Sequence, residues 1–124
     1  MQNIDILKKN VSGVKRSFLV KDGEIVECDF EEEKLHFLSK NILFMLETFV
    51  ELDKNLTKIS IAADNHCVIF LHKTYILGVV TSKNTNFPLL DMVSNKLLLT
   101  IDLTPEETEE IIDRDLQKTL EFMK

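Results

Sequence analysis

Glycine is scarce in this chain: Gly13, Gly23 and Gly78 are the only three among 124 residues. A loop that cradles phosphates needs glycines close together, so that backbone N–H groups can converge on the oxygens. No such loop can be built from these three, and a nucleotide-binding site of that kind is excluded. Cysteine is scarcer still. Cys28 and Cys67 stand far apart in sequence, which is neither a disulfide framework nor a zinc ribbon. Cys28 sits between Glu27 and Asp29, an acidic setting that opposes thiolate formation. The three histidines, His36, His66 and His72, do not form a ligand set. His66 and His72 fall on one expected strand, about 20 Å from end to end at ~3.3 Å per residue. His36 has Lys40 one helical turn on. Cys67 follows His66 directly and therefore points to the opposite face of a strand, so the two make no thiolate–imidazole pair. No apolar run reaches the ~18 residues of a membrane span. The first ten residues, MQNIDILKKN, lack the basic-then-apolar layout of a signal peptide, and the cytoplasm is the expected compartment. There is no basic cluster either: the net charge is -6, which disfavours a nucleic-acid or anionic-membrane partner. The expectation is a chain with no catalytic residues, no cofactor and no metal.

What is present is a well-patterned α/β chain. The longest periodic stretch runs from Glu33 to about Asp53, EKLHFLSKNILFMLETFVELD. Leu35, Leu38, Ile42, Met45, Phe49 and Leu52 recur at three- and four-residue steps on one helical face. Phe37, Phe44, Leu43, Leu46 and Val50 widen the apolar surface, leaving Lys40, Asn41, Glu47, Thr48 and Glu51 as a narrow polar strip. A helix that is apolar over most of its girth needs covering on more than one side. The expected cover is a second copy of the same helix, with Phe37, Asn41, Phe44 and Thr48 near the contact.

Before that helix, Ile4, Leu7 and Val11 mark a short helix over Asn3 to about Asn10. Val14 to Val20 reads as a strand with Val14, Phe18 and Val20 on one side. Asp22-Gly23 is a tight hairpin turn, and Glu24 to Cys28 returns. After the long helix, Leu56 to Ala63 alternates, with Ile59, Ile61 and Ala63 opposite Lys58, Ser60 and Ala62. This strand is expected at the sheet edge, paired with its own copy, which adds Lys58 and Ser60 to the candidate dimer interface. Asp64-Asn65 turns into His66 to His72, and Lys73-Thr74 into Tyr75 to Thr81. These last two strands are apolar on both faces, as central strands covered on both sides are. Gly78 within one of them implies a bulge or a helix packed close to the backbone. Asn84 to Asn86 with Pro88 starts a helix through Leu89, Leu90, Val93, Leu97 and Ile101. Thr104, Pro105 and Glu107 form a capping box for a last helix, Pro105 to about Phe122.

The order is helix, two strands, long helix, three strands, helix and a final helix. It resembles the roadblock / dynein-light-chain domain family over roughly Ile4 to Ile101. The resemblance rests on Val14 to Val20 followed by Asp22-Gly23 and Ile25-Val26, on the long helix, on the strand triplet ending at Val79-Val80, and on the Asn84 to Pro88 loop into Leu89-Leu90. It implies a layered α/β fold, a mainly antiparallel five-stranded sheet between helical layers. The helix from Pro105 departs from that pattern and reads as an accessory, dividing the chain into a domain over 1–103 and a C-terminal helix over 104–124. The resemblance also implies a homodimer with a sheet continuous across two subunits. It implies a non-enzymatic role in binding or regulating a small Ras-like GTPase, or in scaffolding a signalling or motor complex. The alternative reading is a small-molecule sensor of a related layered type, with Phe18, Phe44, Phe49 and Phe70 lining a pocket between sheet and long helix.

Overall fold

The computed structural model describes residues 1–31, 44, 48, 51 and 56–122. The elements are α1 (Asn3–Asn10), β1 (Val14–Lys21), β2 (Glu24–Cys28), β3 (Lys58–Ala62), β4 (His66–His72), β5 (Tyr75–Thr81), α2 (Phe87–Leu99) and α3 (Pro105–Phe122). The long helix expected over 33–53 lies mostly outside the described residues. Of it, Phe44, Thr48 and Glu51 are described and helical, and the Thr48 hydroxyl donates to the Phe44 carbonyl one turn back at 3.1 Å.

All five strands join one antiparallel sheet in the order β2-β1-β5-β4-β3. The hairpins follow from turn chemistry. Asp22 and Gly23 both take positive φ (51° and 81°), the conformation of a type I′ turn, and Lys73 takes φ 54° in the β4–β5 turn. Strand alternation sorts the side chains onto two faces. Leu19, Val68, Phe70, Leu77 and Val79 meet α1, α2 and α3 in the larger core. Phe18, Val20 and Ile69 are buried on the other face, with Ile25, Cys28, Phe30, Ile59, Cys67, Leu71 and Ile76 around them.

Two expectations are corrected. Val14 does not share a face with Phe18 and Val20; it packs with the larger core, because the register shifts between Val14 and Arg16 and a bulge reverses the alternation. Gly78 marks no bulge, and what crowds it among the described residues is the Phe18 side chain. It lies in regular register opposite Phe18 on one side and Ile69 on the other, and the Phe18 ring lies over it. A Cβ at Gly78 would stand 2.1 Å from Phe18 Cζ.

The helices are fixed at their ends. Glu27 of β2 accepts from the Ile4 amide (3.0 Å) and from Asn3 Nδ2 (2.8 Å), placing a carboxylate at the α1 N-terminus, where free N–H groups and the helix dipole favour it. Asn86 Oδ1 caps α2 through the Leu89 amide at 3.1 Å. Thr104 Oγ1 accepts from the Glu107 amide, the expected N-cap, and its hydroxyl, in place of the backbone N–H of a full capping box, donates to the Glu107 carboxylate. Asp29 joins three elements: it accepts from the Ser17 amide at 2.7 Å, its own amide donates to Ser17 O, and Lys8 of α1 pairs with its carboxylate.

Candidate interaction surface

The sheet has two edges, β2 and β3. On the β3 side, Leu71 N donates to Thr57 O (2.9 Å) and Ala63 N to Asn65 O (3.1 Å). In an antiparallel ladder bonded and non-bonded pairs alternate. Thr57, Ile59, Ile61 and Ala63 therefore spend their backbone groups on β4. Lys58, Ser60 and Ala62 turn their N–H and C=O groups outward, where no described strand meets them. Such an edge is a template for another strand unless something guards it. The usual guard, a lysine, is present but turned aside: Lys58 Nζ pairs with Asp91 of α2 at 2.9 Å.

The expected interface residues thus divide. Lys58 and Ser60 are exposed and sit together on the outward-bonding side of β3. Phe44 and Thr48 are exposed and one helical turn apart, Phe44 by 73%. Phe37 and Asn41 lie outside the described residues. Sequence reasoning missed Asp91, whose role depends on α2 packing over β4 and β5 within reach of the Lys58 side chain, a long-range fact with no local signal.

The other functional candidates disperse. Phe18 and Phe70 lie on opposite faces of the sheet, Phe44 is exposed and Phe49 is outside the described residues, so these four do not line one pocket. His66 packs on Phe87 with ring centroids 5.1 Å apart, on the α2 side, while Cys67 joins the opposite core. Burial pushes the Cys67 thiol above its ordinary pKa. Burial also raises Cys28, helped by the nearby Asp29 charge, against the Phe30 amide that donates to its sulfur. Both shifts favour the protonated thiol over the reactive thiolate. Among the described residues no three of His, Cys, Asp and Glu converge to hold a metal ion, and no helix is long and apolar enough to cross a membrane.

No protein-family model matches the chain, and no curated protein matches it. Solved structures do. A Roadblock/LC7 domain from Streptomyces avermitilis superposes with a TM-score of 0.58 at 10% identity, over 92% of this chain and 91% of that one. MglC from Myxococcus xanthus gives a TM-score of 0.47 at 14% identity, over 86% and 92%. The likeness to the first is one of fold: this chain has a roadblock-like domain, with its five-stranded antiparallel sheet, and α3 at its C-terminal end.

Proposed function

We propose that the chain is a non-enzymatic protein-binding module that works as a homodimer, with β3 pairing to its copy and the Phe44–Thr48 faces of the two long helices packed together. The open edge of β3 carries the reading. Its outward amides and carbonyls meet no described strand, and the lysine that guards such an edge is drawn toward Asp91. Exposed Phe44 adds to it, since covering one such side chain contributes about 1.5–3 kcal/mol. Light scattering tests the reading: the mass expected is twice the 14.3 kDa of the chain. Phe44→Glu places an unpaired charge in the contact, at a cost of several kcal/mol, and is expected to give monomers. A wild-type monomer at micromolar concentration overturns the proposal.

The partner class we propose is a small Ras-like GTPase or a subunit of a signalling or motor complex; the roadblock resemblance supplies it. GTP hydrolysis needs a phosphate cradle, Mg²⁺ and a positioned water, and three scattered glycines supply no cradle, so the chemistry belongs to the partner. What this chain adds is a docked surface that binds one nucleotide state more tightly and so shifts the partner's population. No arginine finger is part of the reading. Arg16 Nη1 is turned to the Asp29 carbonyl at 3.3 Å, and Arg114 lies mid-helix, its neighbour Asp115 already paired with Lys96. Arg16→Ala and Arg114→Ala are expected to leave the partner's GTP turnover unchanged. A loss of about 1000-fold with binding intact, the scale on which such fingers act, refutes this.

A further inference from the structure

The three helices over the larger core are held in different ways. Ile4, Ile6 and Leu7 of α1, with Val11 just beyond it, and Leu90, Val93, Leu97 and Leu98 of α2 are fully buried. α3 is longer than either, yet Ile112 is its one apolar side chain buried to that degree. Leu116 packs half-buried against the same core. Thr108 is buried near the start of the helix, bonded to Thr100. From Gln117 to Phe122 every residue is exposed, Leu120 by 62% and Phe122 by 94%.

The remaining hold is ionic. Glu109 pairs with Lys9 of α1, and Asp115 pairs with Lys96 of α2 at 2.8 Å. The two pairs bracket Ile112 by one turn on either side. Hydrogen bonding to Glu109 raises the Lys9 pKa, and hydrogen bonding to Lys96 lowers that of Asp115, as paired charges require. α3 carries seven carboxylates against two cations, most of the excess negative charge of the chain. Beside Ile112 a shallow surface depression is lined by Met92, Val93, Lys96 and Asp115.

We infer that α3 is a salt-sensitive strap that swings off the domain about the Thr104-Pro105 joint while the sheet, α1 and α2 stay folded, uncovering the apolar surface between α1 and α2 that Ile112 seals. Exposed ion pairs are weak and are screened by salt, and elements with few buried contacts open below the threshold of global unfolding. In the closed state α3 itself occupies that surface and denies it to any other helix. The strap is independent of the β3 edge, so it stands or falls apart from the dimer reading.

Hydrogen exchange on the full chain tests it. Amides from Thr108 to Leu116 are expected to share one opening, at least about tenfold more populated than that of the slowest β1 and β5 amides. Raising NaCl from about 0.1 to 1 M, which shrinks the screening length from ~10 to ~3 Å, is expected to speed them severalfold and leave β1 and β5 unmoved. Lys96→Ala is expected to speed the same amides about two- to fivefold, the scale of an exposed pair, again without effect on the sheet. If α3 exchanges at the β1 and β5 rates, or if Lys96→Ala speeds helix and sheet equally, α3 is an integral part of one cooperative unit and the strap is refuted. An α3 rate indifferent to salt refutes the ionic hold.

Discussion

Replacing Gly78 with alanine tests the packing of the sheet face opposite α1 and α2. The added methyl would lie 2.1 and 2.2 Å from Phe18 Cζ and Cε1, where carbon atoms rest at ~3.5–4.0 Å. The ring must retreat by more than an ångström. It has little room, being 5% exposed and packed on Phe30 at a centroid distance of 6.0 Å. Overpacking of this kind costs about 1–3 kcal/mol. Alanine in place of glycine returns about 0.5–1 kcal/mol by restricting the unfolded chain. Taking the middle of each range, the net expectation is a loss of about 1 kcal/mol. In urea, with a slope of about 1–3 kcal/mol per molar, the midpoint should fall by roughly 0.3–1 M with the slope unchanged. Phe18→Leu shortens the group that clashes, so the double variant should lose less than the two single losses together, by at least ~0.5 kcal/mol. A Gly78→Ala variant within ~0.5 kcal/mol of wild type, or strict additivity with Phe18→Leu, refutes the account of why glycine stands there.

Three further outcomes are expected. Glu27→Gln weakens the cap of α1, where one carboxylate accepts from Ile4 N and Asn3 Nδ2; stability should fall by about 1–2 kcal/mol in denaturant titration, and no change would remove Glu27 from that role. A chain ending at Asp102 should stay folded and dimeric, since we propose that the domain closes by Leu103; exposing the site of Ile112 should cost about 2–3 kcal/mol, and loss of a cooperative thermal transition would refute that boundary. Cys28 and Cys67, both with thiol pKa values raised above the ordinary value, should be alkylated slowly at neutral pH in the folded chain. Because the reactive thiolate forms only above a raised pKa, their rates should still be climbing at pH 9, and a plateau near pH 8 would contradict the burial assigned to them.

Much of the fold was legible because local rules speak plainly at particular residues. Asp22-Gly23 demanded a turn with positive φ and has one. Thr104-Pro105 with Glu107 announced the start of α3. The two-sided apolar pattern of β4 and β5 matched their interior places in the sheet. What escaped depends on pairs remote in sequence. The bulge that sends Val14 to the other face, the Phe18 ring over Gly78, the Glu27 cap on α1 and the Lys58–Asp91 pair each need strand order and register, which no window of a few residues encodes. Of the candidate interface, the edge position of β3 was legible, while most of the long helix lies outside the described residues. That Lys58 is drawn toward Asp91 was not legible, since its partner is 33 residues away.

The outward amides of β3 offer the most direct measurement of the proposed dimer. Hydrogen exchange at Lys58, Ser60 and Ala62 should be slow at a concentration where the mass is doubled. These three should become fast together on dilution, while Ile59 and Ile61, bonded to β4 within the chain, keep their protection. If Lys58, Ser60 and Ala62 exchange fast at every concentration while Cys67 to Leu71 stay slow, the edge is open and the two copies do not meet there.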